Sequence, residues 1–297
     1  MAREDQPRIV YQGPPRWDGR KWLNGDKFVL SGKGKGNLGV ELAGSVAGLD
    51  RGAVEYRYDA GANTPGSRLT SQVAGRREMP AAINILGDTS HELARNKQRW
   101  EQNHPDKRPG RLWVLSEFSA PKYLEVFKSE VAGTATLDKD PFIRNVYEDW
   151  EWGWTSDHPY FFGYEEVREL EPQGGGKFSE SFFNDSTAPQ VYPKLVLYGP
   201  GRFEINAGYG REPILLPDLA AGQMMRVDYD ATEKTLLRQP IDGSGPVTNI
   251  WPLLRGQRPR MSFDPQSHTT VTVTNRASGT PARNPELIYT PEFVSWV

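Results

Sequence analysis

The chain has 297 residues, 37% of them hydrophobic and 25% charged, with a formal net charge of -2 and no cysteine. That length supports two ordinary domains, each able to bury its own core. A near-neutral charge gives no global electrostatic case for nucleic acid or an anionic membrane, and the missing cysteines exclude disulfide staples, thiol nucleophiles and thiolate metal sites.

Nine Trp, 12 Tyr and 12 Phe stand on a polar background beside 30 Gly and 24 Pro, a combination that favours short strands, tight turns and subunit contacts. Residues 1–20 carry Pro7, Pro14 and Pro15 among charges and read as an arm that orders only against something else. The first eight residues lack the apolar stretch of a signal peptide, and no run approaches the roughly 18 apolar residues of a spanning helix, so a soluble protein without membrane insertion is expected.

Phe28 to Leu30 predicts the first strand. Gly32 to Gly39 then spells Gly34-x-Gly36-x-x-Gly39, with Asp59 twenty residues further on after a strand-like run from Val54 to Tyr58. A dinucleotide fingerprint needs a helix opening at the third glycine. Residues 40–49 contain Gly44 and Gly48 and no helical apolar face, so the segment reads as a glycine-rich hairpin. Residues 60–75, with five Gly, Pro and Asn breakers, read as a long loop.

Ala82 to Leu86 predicts a strand. Thr89 with Glu92 forms a capping box for a helix over 90–103, whose Leu93 and Trp100 lie two turns apart on one face, until His104-Pro105 stops it. Arg111 to Leu115 and Lys122 to Phe127 read as an antiparallel pair, and Asp140-Pro141 leads into the aromatic stretch 150–163. Trp150, Trp152 and Trp154 recur at a spacing of two, which places three indoles on one face of a strand. Tyr160, Phe161 and Phe162 follow; the whole set reads as core or as a contact surface.

Pro172 and Gly174 to Gly176 read as a linker. Beyond it, Lys194 to Tyr198, Arg202 to Asn206, Met224 to Asp230 and Thr269 to Thr274 alternate apolar with polar and predict an antiparallel sandwich. A proline-rich tail begins at Arg276, and its Trp296 is expected to dock.

The four histidines, His91, His104, His158 and His268, share no ligand spacing and are expected at the surface or as caps. Asp228 and Asp230 would share the solvated face of one strand rather than oppose each other across a cleft, and no nucleophile elbow or phosphate-binding lysine loop occurs. No catalytic residue, cofactor site or metal site is therefore expected. Glycan binding by a galectin-like sandwich is the functional alternative, with Trp251, Tyr198 and Tyr209 as stacking candidates.

The order of these pieces resembles a known family. Gly48-Leu49, Pro65-Gly66, Arg77 before the strand to Gly87, the helix ending Arg99-Trp100, Gly110 to Trp113, Lys122 to Val126, Asp140-Pro141 and the tryptophan strand closing on Asp157 to Tyr160 together resemble the ring domain of siphophage distal tail proteins. Tyr192-Pro193, Leu197 to Pro200, Gly222 to Asp228 and Trp251 are similar to their C-terminal sandwich.

The resemblance implies a mainly β protein: a sandwich- or barrel-like ring domain with one α-helix, followed by a galectin-like antiparallel β-sandwich. The expected divisions are an N-terminal arm at 1–20, the ring domain at 21–172, a linker at 173–184, the sandwich at 185–275 and an extended tail at 276–297. It further implies a structural virion protein of a long non-contractile tail, assembled in the host cytoplasm. Its hexameric ring would join the tail-tube protein to the tail-tip hub protein around a lumen that passes the tape measure protein and DNA in transit. The alternative is a carbohydrate-binding tail module that attaches to the host cell surface. Trp150, Trp152, Trp154, Tyr160, Phe161, Phe162, Trp17 and Trp296 are the candidates for core or subunit seam.

Overall fold

The computed structural model describes residues 7–297 except 18, 19, 51, 53, 60–67, 131–139, 207–211, 231 and 234, and the side chains at 17 and 72. The chain forms two compact units. One comprises the N-terminal part through Gly163 together with Phe293–Val297, and the other runs from Tyr164 to Glu292.

The first unit is built on a nine-stranded antiparallel sheet. Its main path runs Lys27–Val29, Arg8–Gln12, Gly110–Leu115, Lys122–Lys128, Val146–Ser156, Arg77–Leu86 and Val40–Leu42. The two ends of that path meet where Leu42 N donates to Leu30 O at 2.9 Å, so the sheet curls into a nearly closed barrel. Closure follows from the glycine-rich connection. Gly32, Gly34, Gly36 and Gly39 all hold φ between 70° and 84°, which L side chains rarely adopt, and this turns the chain from Lys27–Val29 into Val40–Leu42. A strand, not a helix, follows Gly39, so the amide-lined helix start that a dinucleotide pyrophosphate needs is missing there.

Inward residues of every strand fill the barrel, among them Tyr11, Phe28, Leu42, Met79, Ile83, Leu112, Leu124 and Val126. The helix Ser90–Gln102 adds Leu93 and Trp100 to that core. Thr89 Oγ1 accepts from Glu92 N at 3.2 Å, while the Glu92 carboxylate returns to Asp88 N at 3.1 Å, one residue outside the expected box. At the other end Arg99 grips Asp26 with two bonds of 3.0 Å, which hold the Asp26 carboxyl below its usual range and fasten the helix to the turn before Lys27–Val29.

The second unit is an antiparallel β-sandwich. One sheet runs Glu166–Glu169, Glu286–Tyr289, Lys194–Tyr198, Gln223–Asp228, Leu236–Pro240 and Thr248–Asn249; the other runs Glu171–Gly174, Lys177–Asn184, Ser267–Asn275, Phe203–Ile205 and Ile214–Leu215. Inward alternation at Leu195, Leu197, Met225, Val227, Val271 and Val273 supplies the core between them. Among the described residues no helix is long and apolar enough to cross a membrane.

Five expectations change. The 1–20 arm contains a barrel strand, because Ile9, Val10 and Tyr11 are apolar enough to be buried between two partners. The 60–75 loop contains the strand Arg68–Ala74, paired with Val54–Asp59. Residues 173–184 are not a linker: Gly174, Gly175 and Gly176 form a hairpin turn at positive φ, and Lys177–Asn184 pairs along its length with Ser267–Asn275. The 276–297 tail supplies the sandwich strand Glu286–Tyr289. A second, one-turn helix, Pro141–Arg144, is started by Asp140, whose carboxylate accepts from Phe142 N at 2.9 Å.

Candidate functional site

The tryptophan strand pairs with Arg77–Leu86 in the register Trp150↔Ile83, Trp152↔Ala81 and Trp154↔Met79, which puts the three indoles on one face. All three are buried, Trp154 completely. Trp100 from the helix meets Trp152 at 5.3 Å and Trp154 edge-on at 6.3 Å between ring centroids. Packing rather than polar bonding holds the group, since the indole nitrogens of Trp100, Trp150 and Trp152 have no acceptor among the described residues.

At the centre stands His104, expected at the surface or as a cap and found buried, with its ring on the helix-end carbonyl of Trp100. Pro105 marks the helix end, and the first turn beyond it rolls the imidazole inward, where Tyr11 stacks on it at 4.0 Å and 7°. Trp154 Nε1 can only donate, so His104 Nε2 must accept its 3.1 Å bond. The proton then sits on Nδ1, 2.9 Å from Trp100 O. Burial pushes the pKa of this ring down to about 3. The site is a neutral structural histidine with both nitrogens committed.

Beyond the strand, the corner from Asp157 to Gly163 is organised by Arg77. Its guanidinium is 1% exposed, lies 4.8 Å from the centre of the buried Phe161 ring, and donates to Gly48 O, Leu49 O, Pro159 O and Val294 O at 2.7–3.2 Å. Burial lowers its pKa to about 10, offset in part by Asp50. Tyr160 and Phe162 are half-buried, and the His158 ring stacks on Phe162 at 4.6 Å. Trp296 packs half-buried against the barrel core, with Nε1 donating to Asp50 Oδ1 at 2.8 Å. The backbone of Trp17 pairs with Trp22, and its side chain lies outside the described part.

Among the described residues, one hairpin leaves its large side chains exposed. Val54–Asp59 and Arg68–Ala74 form a separate two-stranded sheet, and Tyr56, Tyr58, Leu69 and Val73 on it are 41–61% exposed. A lone two-stranded hairpin is marginal in water.

Of the proposed glycan residues, two lie among the described residues. Tyr198 is buried, Trp251 is half-buried on a short 3-10 turn, Trp251–Leu254, against the sandwich core, and Tyr209 lies outside the described residues. A groove of about 640 Å3 lies elsewhere on that unit, lined by Glu204, Asn206, His268, Thr270, Thr272 and Thr274 among others. Asp228, expected on a solvated face, is mostly buried, accepts from Asp230 N and sits 3.5 Å from the Lys194 ammonium. Among the described residues no three His, Cys, Asp or Glu side chains gather as metal ligands.

The fold defines a class: a β-barrel flanked by the helix Ser90–Gln102, followed in the chain by a β-sandwich before the final strap returns to the first unit. Solved structures share that architecture. The Dit protein of phage SPP1, described as a hub of the adsorption apparatus in phages that infect Gram-positive bacteria, superposes with a TM-score of 0.60 over 97% of this chain and 99% of its own at 14% identity. A chain of the phage P2 baseplate in its activated conformation, in structures with calcium and with strontium, gives 0.52 over 96% and 98% at 9% identity. The chain therefore has the fold of the Dit proteins. No family model and no curated protein sequence matches it.

Proposed function

We propose that this chain is a structural protein of a long non-contractile phage tail, forming a ring that connects the tail tube to the tail-tip hub. The observation that carries the reading is the Dit fold across both units, nearly end to end. The uncovered hairpin supports it, because identical subunits around an axis bury one surface of each copy against a different surface of the next. On this reading the ring is a hexamer with tube, hub and tape measure proteins as partners, DNA passes its lumen, the second unit is galectin-like, and the protein acts by assembly without catalysis. It belongs in the virion after assembly in the host cytoplasm.

Native mass spectrometry and negative-stain microscopy of the purified protein test this. The expected result is a closed ring, formed at high concentration or on addition of the tail-tube protein. A chain that stays monomeric with tube and hub proteins present overturns it. The carbohydrate-binding alternative has less support, because Tyr198 is buried and Trp251 packs in part against the sandwich core.

A further inference from the structure

A groove of about 430 Å3 lies at the C-terminal end of the helix Ser90–Gln102, within the first unit. Its floor is proline: Pro14 and Pro15 follow the strand Arg8–Gln12, and Pro105 follows the helix. Proline has no N–H, so the floor offers apolar surface and no backbone donor. Asn103 lines the groove as well, and its amide is already committed. It accepts from Asp26 N at 3.1 Å and donates to Asp26 Oδ2 at 2.9 Å and Arg99 O at 2.8 Å.

The rim is cationic. Arg16, Lys107 and Arg108 line the groove against one carboxylate, Asp106, in a chain whose net charge is -2. All three cations are exposed, and none makes an ion pair among the described residues. Asp26 feels the charge of Arg16 but is bonded by Arg99. The Arg108 guanidinium lies over the Trp22 ring, 5.4 Å from its centre, so the hairpin Arg16–Trp17/Trp22–Leu23 steadies that side chain at the rim. Arg20 and Lys21, exposed in the turn of the same hairpin, add to the positive charge there. Stabilisation of the helix end does not account for these cations. None of the three on the rim belongs to the helix, and its last carbonyls already accept from Asn103 N and His104 N.

We propose that this groove is a docking site for an acidic segment of a partner protein, one in which Asp or Glu alternates with apolar residues. Its carboxylates meet the guanidinium forks of Arg16 and Arg108 in bidentate pairs, as acidic motifs do at arginine clusters, while its apolar residues lie on the prolines. Nucleic acid fits less well. Trp22 already carries Arg108 over its ring, and the groove is a compact pocket rather than a track for successive phosphates and stacked bases. The site needs no ring, so it goes beyond the assembly reading above and can be tested on the purified chain.

Labelled peptides that alternate Glu with Ala and Lys with Ala, and a labelled oligonucleotide, are titrated with the protein and followed by fluorescence anisotropy. The Glu peptide should bind, more weakly as salt rises, and the Lys peptide should not. Arg16→Gln with Arg108→Gln should weaken the Glu peptide by at least about tenfold. Lys33→Gln with Lys177→Gln removes the same charge at exposed sites elsewhere and should leave binding unchanged. Urea unfolding of both double variants should match the native protein, since every substituted side chain is exposed. Failure of the Glu peptide to bind, an equal loss in the two double variants, or tighter binding of the oligonucleotide than of the Glu peptide overturns the proposal.

Discussion

Acidification tests the His104 site. The imidazole titrates near 6.5 in an unfolded chain and near 3 in the folded one, so the unfolded state binds its proton more readily below pH 6.5. Its contribution is therefore constant above pH 6.5 and falls as the pH drops towards 3, by about 1.4 kcal/mol per pH unit. From pH 7 to pH 5 the folded state should lose about 2 kcal/mol through this one ring. His104→Phe removes the titration while retaining a flat ring beside Tyr11, and at every pH it leaves Trp154 Nε1 without its acceptor, while Trp100 O keeps its bond from Asn103 N. Urea unfolding of both proteins can be followed by tryptophan fluorescence, which reports mainly the barrel because eight of the nine Trp precede Tyr164 or follow Glu292. The advantage of the native protein over the variant should shrink by about 2 kcal/mol between pH 7 and pH 5, with the carboxylates cancelling in the comparison. A difference that stays constant with pH refutes the neutral, enclosed imidazole.

Trp152→Ala should lower barrel stability by about 3 to 5 kcal/mol in the same unfolding assay, since it empties a site packed by Trp100, His104 and Trp150. Tyr56→Ser with Tyr58→Ser should leave stability within about 0.5 kcal/mol, because both rings face solvent, while abolishing ring assembly in native mass spectrometry. Glu292 has its carboxyl raised to about 7 by burial and then by Asp230, so its ionisation costs stability as pH rises from the unfolded value of 4.5 through 7. Glu292→Gln should therefore stabilise the protein by about 3 kcal/mol at pH 8 and by little at pH 4.5, measured by urea unfolding.

How legible the molecule was depended on whether an element's burial shows in its own residues. The tryptophan strand and the helix could be read directly: period two at Trp150, Trp152 and Trp154 and the Leu93/Trp100 spacing record which face is covered. Arg68–Ala74 could not, because both faces of its hairpin are open and no alternation is imposed. Lys177–Asn184 was hidden by three glycines, whose positive φ values serve a tight turn as readily as a linker. His104 sits at a helix stop, where sequence suggests exposure; only the fold brings Tyr11 and Trp154 to it from 93 and 50 residues away. Arg77 stood out only as a piece of the family resemblance, and its role could not be read, as its partners are carbonyls contributed by three distant segments.

The returning strap also sets an order of events during synthesis. Gly163 leaves the ribosome about 130 residues before Phe293, an interval on the order of 7 to 26 s at usual elongation rates. Throughout it the seven strands of the main path are present, while the pairing of Glu292–Phe293 with Phe161–Phe162 is still to come and the wall beside Asp50 and Leu49 stands open. The first unit to begin folding is thus the last to be finished.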